Sequence, residues 1–243
     1  MSSGIYSALS AGVVKMQALE TETNNLTNAS TKGYKKDHLT FESVYNGVTQ
    51  NQLGRGVNLV KIRKDYVDLS QGESEYTGKP LDLAIEGAGL FKLKDPNGDY
   101  HYTRLGDFKR AADGTLITPS GWQVMNDQNR PIVIPSTKGM EIKGSGDIVV
   151  AGNQVGKIPL FQVANLSALH KEGGGLFSLD ANAQVSLVKT PRIIPNHLEG
   201  SNVKPLQEMA LMMDGLRAFQ AYQKVIKAYG TLLSQANQLG ATS

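Results

Sequence analysis

Glycine-rich segments are the first places where this chain could carry out chemistry. Residues 72–79 read GESEYTGK and look like a phosphate-binding loop, but the two glycines are six positions apart, and Pro80 stands where Ser or Thr would bind magnesium. Two GxG sequences, within 86–92 and 144–150, lack the third glycine of a dinucleotide fingerprint. We therefore predict tight turns at these glycines and no nucleotide site.

Metal-binding and nucleophilic patterns are also missing from the sequence. The four histidines show no HxH or HxxxH spacing, there is no cysteine, and there is no GxSxG motif. Asp82 and Glu86 flank the apolar run LAI and could point to one side of a strand as an acid–base pair, with a solvated strand edge as the alternative. We predict no catalytic residue, no metal and no cofactor.

Aromatic residues in the middle of the chain support a competing class of function. Tyr100, Tyr102, Phe108 and Trp122 could form a platform for a carbohydrate, or part of an enzyme whose helices only dimerise it. The same positions also alternate as the core residues of a β domain would. The sequence therefore leaves a binding module open beside a structural protein.

Charge and hydropathy exclude two further classes. The chain has 243 residues and a net charge of only +3, from 25 basic and 22 acidic residues, which is too nearly neutral for a nucleic-acid binder. Its beginning lacks the basic segment and unbroken apolar run of a cleavable signal peptide, and no run of about 18 apolar residues occurs. We expect neither nucleic-acid binding nor direct membrane insertion.

Apolar residues at steps of three and four predict a helix at each end of the chain. The first runs from Ile5 to Leu26 and the second from about Val203 to Leu239, with Ser201 or Asn202 as the N-cap before Pro205. Neither helix can bury its stripe alone, so the stripes pack within the chain or between subunits. The stripe positions are Ile5, Leu9, Met16, Leu19, Leu26, Met209, Met212, Leu216, Phe219, Ile226 and Leu233.

Short strand-like runs between the helices predict a mainly antiparallel β domain. They are separated by glycine-containing turns, with hairpins expected at 96–98 and 113–114, and no crossover helices divide them. The predicted fold class is α+β, in which both termini build a discontinuous coiled-coil-like helical domain. The predicted divisions are an N-terminal helix at 1–34, an extended connector at 35–77, a β-rich outer domain at 78–197 and a C-terminal helix at 198–243.

Four ordered motifs resemble those of bacterial flagellar rod and hook proteins. They are NNLTNASTKGYK at 24–35, TGKPLDLAIEGAGLF at 77–91, YTRLGDF and DGTLITPSGWQV between 102 and 124, and LEGSNVKPLQEMALMMDGLRAFQAYQKVI at 198–226. The departures are Ala88 for the usual Asp, Leu90 for the usual Phe, and Gly215 with Leu216 for Ala-Gln.

The resemblance implies an axial structural protein of the flagellar basal body. Within the family the chain looks most like the proximal rod member encoded beside the distal rod protein, with the distal rod protein as the alternative. The resemblance further implies export through the flagellar type III apparatus, a rod across the periplasm, and partners among proximal and distal rod subunits and copies of the chain itself. The termini are then expected to be partly disordered before assembly, because their stripes lack partners.

Two groups of motif residues receive roles from the same resemblance. Arg217 matches the family's arginine on the flank of the C-terminal stripe, either as an intersubunit hydrogen bond or ion pair, or as a snorkelling surface residue. A turn at the end of the N-terminal helix either caps the helix or takes part in direct recognition. Its residues are Asn24, Asn25, Asn28, Thr31 and Gly33.

Overall fold

The computed structural model describes residues 3–46 and 57–241, without the side chains of residues 3, 44–46, 57–59, 61–65, 233, 236, 237 and 239–241. Within these ranges the chain is an α+β protein, with a long helix near each end and many short strands between them. It forms two compact units. Unit 1 comprises Met1–Thr27, Asp37–Asp65 and Lys204–Ser243, and unit 2 comprises Asn28–Lys36 and Tyr66–Val203.

Unit 1 is built around the two terminal helices. Helix α1 is Ser3–Thr27 and helix α2 is Pro205–Ala241, so both predicted helices are confirmed. Strands β1, Asp37–Asn46, and β2, Val57–Val67, pair as a two-stranded sheet. Neither helix carries an apolar stretch of the length that crossing a bilayer requires, as far as the described residues extend.

The start of α2 differs from its predicted N-cap. The carbonyl of Lys204 accepts the first helical N–H groups, from Gln207 at 3.0 Å and Glu208 at 3.1 Å. Ser201 Oγ instead accepts the N–H of Val203 at 3.2 Å, and Asn202 bonds elsewhere in unit 2. The predicted cap is wrong because Pro205, which has no N–H to lose, begins the helix directly.

Unit 2 contains sixteen strands and a short 3-10 helix at Leu166–Ala168. The strands are β3 (Ser74–Tyr76), β4 (Leu83–Ile85), β5 (Phe91–Lys94), β6 (Tyr100–Thr103), β7 (Lys109–Arg110), β8 (Leu116–Ile117), β9 (Gln123–Val124), β10 (Met140–Ile142), β11 (Asp147–Val150), β12 (Asn153–Lys157), β13 (Phe161–Val163), β14 (Leu169–Gly173), β15 (Leu176–Leu179), β16 (Val185–Leu187), β17 (Ile193–Pro195) and β18 (His197–Glu199).

The largest sheet of unit 2 has seven strands in the order β14-β15-β6-β5-β9-β8-β7, and its pairs are antiparallel. Strands β5 and β6 pair with Phe91 opposite Thr103, and β7 pairs with β8, which confirms the hairpins expected at 96–98 and 113–114. In β5, Phe91 and Leu93 are buried while the lysines between them are partly exposed. This alternation is what a strand with one face on the core requires.

Two apolar clusters form the core of unit 2. The larger contains Leu83, Phe91 and Ile148 among its members, and the smaller contains Leu90 and Phe177. Two small sheets, β4–β17 and β3–β18, pair the segment that leads to α2 with strands near residues 74–85. Strand β18 places Glu199 opposite Ser74, at the end of the pair.

Candidate functional site

The terminal helices pack against each other in antiparallel directions. Thr23 Oγ1 lies 3.8 Å from Met212 Sδ near one end, and a Cβ placed on Gly12 would lie 3.8 Å from Tyr222 Cβ farther along. A Cβ on Gly215 would lie 2.8 Å from Leu19 Cδ2, so this glycine brings α2 close to α1. Gly215 thus allows close helix packing. A Cβ on Gly230, the other glycine inside α2, would lie within 4 Å of no atom among the described residues.

Small residues, more than the predicted large ones, occupy the buried face of α1. Ala8, Gly12 and Ala18 are buried, whereas Leu9 and Met16 are about half exposed. On α2 the large side chains divide in the same way between half-buried and exposed positions. The half-buried members of the predicted stripes are Ile5, Leu19, Leu26, Met212, Phe219 and Ile226, the exposed ones on α2 are Met209 and Leu216, and the side chain of Leu233 lies outside the described residues.

Exposed large apolar side chains form a stripe on each helix. The α1 stripe steps by three, four and three residues and consists of Tyr6, Leu9, Val13 and Met16. The α2 stripe has the same steps and consists of Leu206, Met209, Met213 and Leu216. Steps of three and four are the spacing at which helices pack side by side, and contiguous apolar patches on soluble chains mark interaction surfaces.

Two members of these stripes, Tyr6 and Leu206, were not predicted from the sequence. Val13 widens the predicted apolar stripe of α1, and Met213 belongs to a group of methionines predicted to form an adaptable surface. The sequence shows one apolar series per helix and cannot separate a buried face from an exposed one. The signal was present in the residue sizes. Alanine and glycine suit close helix contact, so the bulky residues one position away were the candidates for the exposed stripe.

Arg217 lies on the exposed surface of α2. Its side chain is 78% exposed, and its nearest acidic partner is Asp214, with 3.9 Å between Nη1 and Oδ1. An exposed pair at this distance contributes at most about 1 kcal/mol to the stability of the chain. The charge is therefore accessible to another molecule.

The turn residues of the first motif serve two local structures. Asn25 is buried and its side chain pairs with the backbone of Asp37 in both directions, at 3.0 Å each way. Thr31 donates its N–H to the carbonyl of Asn28 at 3.1 Å and its hydroxyl to Asn28 Oδ1 at the same distance. Gly33 has a φ of 66°, a conformation that favours glycine, and Asn24 is exposed at the end of α1.

A buried ionic cluster in unit 2 joins three of the four motifs. It consists of Lys35, Arg104 and Glu199, whose side chains are at most 1% exposed. Lys35 Nζ donates to Glu199 Oε1 at 2.6 Å, and Arg104 donates from Nε to Oε2 at 2.8 Å and from Nη2 to Oε1 at 3.1 Å. We call these three residues the ionic cluster.

Backbone carbonyls accept the remaining donors of the two cations. Arg104 Nη1 bonds to the carbonyls of Gly87 at 2.7 Å and Gly89 at 2.8 Å, and Lys35 Nζ bonds to that of Ser70 at 2.7 Å. The cluster contains two cations and one anion. Such a charge is retained inside a protein only where nearly every donor has an acceptor.

Burial and charge shift two pKa values in the cluster. Burial lowers the pKa of Lys35, because it disfavours the ammonium form more than the neighbouring Glu199 stabilises it. Burial alone would raise the pKa of Glu199, but the hydrogen bonds and charge of Arg104, together with Lys35, hold it below its ordinary value.

The sequence patterns indicate no role for the ionic cluster. Each member stood inside a quoted motif, GYK, YTR or LEGSN, yet sequence spacing cannot show that residues 35, 104 and 199 meet. The available signal was a charged residue fixed beside aromatic or apolar neighbours, the context in which a charge becomes buried and needs a partner.

The two carboxylates predicted as an acid–base pair are not brought together. Asp82 is buried, whereas Glu86 is exposed and lies 3.9 Å from Arg192. Asp82 instead bridges to Asp107 through the backbone. Asp107 Oδ1 is buried without a hydrogen-bond partner, and burial, aided by the charge of Asp82, raises the pKa of Asp107.

The prediction of an exposed aromatic platform is wrong. Tyr102 and Phe108 are buried in the core, and the Phe108 ring meets Phe91 edge-on at 5.1 Å. Trp122 stacks on His101 with 4.6 Å between ring centroids, and Tyr100 alone of the four is exposed. Two of the four rings therefore cannot contact a carbohydrate.

The glycines of the two GxG sequences, within 86–92 and 144–150, lie in turns. Gly87, Gly89 and Gly146 have φ values of 88°, 135° and 83°, as tight turns require, so that prediction is confirmed. Residues 74–76, inside the loop that resembles a phosphate site, form strand β3. Over residues 3–46 and 57–241, no three His, Asp or Glu side chains cluster in a way that could hold a metal ion.

Two family models match separate parts of the chain. Residues 84–150 match the model described as the flagellar hook protein FlgE/F/G D1 domain. Residues 194–239 match the model described as the flagellar basal body rod FlgEFG protein C-terminal region. The first region lies in unit 2, and the second includes Glu199 and most of α2.

Curated relatives match along almost the whole chain. Flagellar basal-body rod protein FlgF of Caulobacter vibrioides is 31% identical over 93% of this chain and 93% of its own length. FlgF of Salmonella typhimurium is 31% identical over 98% of each chain. FlgG of Buchnera aphidicola subsp. Schizaphis graminum is 29% identical over 89% of this chain and 92% of its own. With this identity over this length, the chain belongs to the family of flagellar basal-body rod proteins.

Proposed function

We propose that this chain is a structural subunit of the proximal part of the flagellar rod. It is exported by the flagellar type III apparatus and joins a hollow driveshaft across the periplasm that transmits torque. The observation that carries this proposal is the pair of exposed apolar stripes on α1 and α2. Rod-protein relatives over nearly the full length support the same role. In this function the chain uses no catalytic residue and no cofactor.

The proposed assembly interface is the surface of a discontinuous, coiled-coil-like domain formed by both termini. Its members are the predicted stripe residues together with Tyr6, Val13, Leu206 and Met213. The divisions at residues 34, 77 and 197 belong to the same proposal, with residues 35–77 as connector and 78–197 as outer domain. The partners are copies of this chain, the other proximal and distal rod subunits and, during export, the export apparatus.

The energetics favour several neighbours for each subunit. Fully burying one large apolar side chain contributes about 1.5–3 kcal/mol, so a half-exposed stripe of four offers about 3–6 kcal/mol. Association costs about 4–15 kcal/mol in lost freedom of motion. A single stripe therefore reaches only the lower part of that cost, whereas two stripes used together offer about 6–12 kcal/mol, which is comparable with it. Assembly through these stripes thus favours the use of both.

The test of the assembly proposal is a paired substitution on α1. Leu9→Ser with Met16→Ser changes two exposed side chains, so the single chain folds as before by circular dichroism, but it is absent from purified basal bodies and motility is lost. Val133→Ser is the matched control, because Val133 is equally exposed but lies in unit 2. Normal motility of the paired variant would overturn the proposed interface, and absence of the unaltered chain from basal bodies would overturn the rod function.

Position along the rod is tested separately, with the distal rod subunit as the second candidate. The motifs that resemble the family are shared by proximal and distal members. An electron cryomicroscopy map of native basal bodies resolves the side chains of each layer. Fit of this sequence to one short layer near the inner-membrane end supports the proximal position, and fit to the long distal layer replaces it.

A further inference from the structure

Unit 2 contains an open cavity of about 490 Å³ beside the ionic cluster. Its lining comes from three segments, within residues 69–71, 87–90 and 161–166, and from Arg104, so the whole cavity lies inside one compact unit. A volume of this size accepts a side chain or a small ligand. Neither apolar stripe of the terminal helices includes a residue of this lining, so the cavity has no part in the helix interface proposed above.

Apolar side chains form much of the cavity wall. Leu90, Phe161 and Val163 are buried in the smaller core cluster and also line the cavity, while Leu166 in the same lining is 42% exposed. An apolar group that enters the cavity leaves water and contacts these side chains, which favours its binding.

The charge in and next to the lining is positive. Arg104 lines the cavity, and the ionic cluster to which it belongs has two cations, Lys35 and Arg104, for the single carboxylate of Glu199. The charge of Asp68 offsets part of this excess, but burial still keeps the pKa of Lys35 below its ordinary value. No Asp or Glu is among the lining residues that the structure describes. A negative charge placed in the cavity is therefore attracted to its surroundings.

Ser70 and Gln71 supply the hydrogen-bond donors of the cavity. Gln71 Oε1 accepts the N–H of Gly87 at 3.1 Å, so the two N–H bonds of its amide are left for an acceptor outside the described residues. Ser70 Oγ accepts an N–H of Asn202 at 3.0 Å, which leaves its hydroxyl hydrogen to donate. Arg104 has acceptors within the chain, so it acts on an anion through its charge.

We infer that the cavity binds the carboxylate of an Asp or Glu, next to an apolar residue, on a neighbouring rod subunit. The carboxylate accepts hydrogen bonds from Ser70 and Gln71 near the positive cluster, and the apolar residue covers the wall around Leu166. A site of this size holds a dissolved carboxylate only with a Kd on the order of 1 mM. A subunit already held in a polymer presents its carboxylate at an effective concentration in the same range, so the tethered group occupies the cavity.

This inference rests on the proposed rod function, because the carboxylate comes from a neighbouring subunit. It adds to the apolar stripes of unit 1 a contact of stated chemistry on unit 2. Complementary charge at such a contact selects the partner and its register more than it adds affinity.

The first test measures the chemistry of the cavity on the full, single chain. The probe is hexanoate, which joins a carboxylate to an apolar tail, and the control is hexanamide, which has the same shape without the charge. Hexanoate is expected to shift the methyl resonances of Val163 and Leu166 with a Kd on the order of 1 mM, and hexanamide to bind at least fivefold more weakly.

The second test replaces the donor amide of the cavity with a negative charge. Gln71→Glu keeps an oxygen for the N–H of Gly87, and its position is exposed, so circular dichroism should match that of the parent chain. Hexanoate affinity should fall at least fivefold, and incorporation into purified basal bodies at least threefold. Gln128→Glu is the matched control, since it makes the same change at an exposed position of unit 2 outside the lining. This control should leave both quantities unchanged.

Two results overturn the inference. One is hexanoate binding no tighter than that of hexanamide, which removes the role of charge in the cavity. The other is equal incorporation of Gln71→Glu and Gln128→Glu, which removes the neighbouring carboxylate. Failure of the rod function itself is distinguishable, because the unaltered chain is then absent from basal bodies.

Discussion

Arg104 donates two hydrogen bonds, of 2.8 and 3.1 Å, to the carboxylate of Glu199, which lies 95 positions away in the sequence. Two-point contacts between a guanidinium and a carboxylate are the strongest of the side-chain ion pairs. Both groups are buried, so neither can turn to water if the other is removed. The pair is therefore a polar element of the core of unit 2, and its loss has consequences that surface pairs do not share.

Replacing Arg104 with Met destabilises unit 2 by about 3–5 kcal/mol. The reason is that the buried Glu199 loses the two hydrogen bonds donated by Arg104, and the carbonyls of Gly87 and Gly89 lose their donor. Urea unfolding followed by Trp122 fluorescence measures the change. Lys32→Met, which breaks an exposed pair with Glu75, costs at most about 1 kcal/mol. Equal losses in the two variants would show that burial of the cluster carries no special weight.

Lowering the pH reduces the stability of the folded chain, because Glu199 becomes protonated. Its pKa in the folded state lies below the ordinary value of 4.5, so the unfolded state binds the proton more readily. The stabilisation is fully present above about pH 4.5 and is lost as the pH falls through the folded pKa. Unfolding free energies measured from pH 7 to pH 3 should therefore fall steeply in the parent chain and less steeply in Glu199→Gln. Identical slopes would contradict this assignment.

Ionisation of Asp107 affects the stability of the folded chain in the opposite direction to that of Glu199. Burial raises its pKa above 3.8, so the folded state holds the proton more tightly and the charged form opposes folding at neutral pH. Asp107→Asn is expected to stabilise the chain by at most about 1 kcal/mol at pH 7, because it removes the charge of a half-buried carboxylate whose Oδ1 accepts no hydrogen bond. The gain should vanish below pH 3.8, where the parent carboxyl is protonated.

Asp113 is a carboxylate whose charged form is stabilised by its surroundings, so its replacement can be compared with that of Asp107. Hydrogen bonds from Thr115 lower the pKa of Asp113, so its charged form supports the folded state. Asp113→Asn should therefore reduce stability at pH 7 where Asp107→Asn increases it. Changes of the same sign in the two variants would show that the surroundings of the two carboxylates do not differ as described.

Local sequence patterns predicted the helices and hairpins of this fold. They could not predict the ionic cluster, because its members are far apart in the sequence. The steps of three and four from Ile5 to Leu26 identify α1, and the glycine turns at 98 and 114 identify two hairpins, because these signals lie within a few residues of each other. The contact of Lys35 with Glu199 spans 164 positions and leaves no periodic signal. Family motifs marked both residues without indicating that they touch.

The stripes show a second limit of sequence pattern. A helical period identifies apolar faces but not which of two adjacent faces meets the partner helix. Leu9 and Met16 were assigned to a stripe, and the structure turns them outward, because Ala8 and Gly12 allow closer contact with α2. The choice between the faces is made by packing, which a single sequence does not reveal.

The two glycines within α2 should respond differently to alanine. Gly230→Ala is expected to stabilise the helix by about 1 kcal/mol, since the added methyl group meets no atom of the described residues within 4 Å and alanine favours helix. Gly215→Ala should gain clearly less or lose stability, because its Cβ would lie 2.8 Å from Leu19 and would force that side chain to move. Thermal unfolding followed by circular dichroism at 222 nm compares them. Equal gains would mean that Gly215 plays no part in helix contact.

Arg217 tests whether α2 pairs with a neighbour through charge as well as through apolar packing. Its side chain is exposed and its local ion pair is weak, so Arg217→Ala should leave the stability of the single chain within about 0.5 kcal/mol. Motility should nevertheless fall, and Arg217→Lys should restore it only in part, because lysine lacks the planar two-point geometry of arginine. Lys224→Ala, an exposed charge farther along α2, serves as the control and should swim normally. Normal swimming and normal rods with Arg217→Ala would reduce Arg217 to a solvated surface residue and leave the apolar stripes as the sole proposed contact of α2.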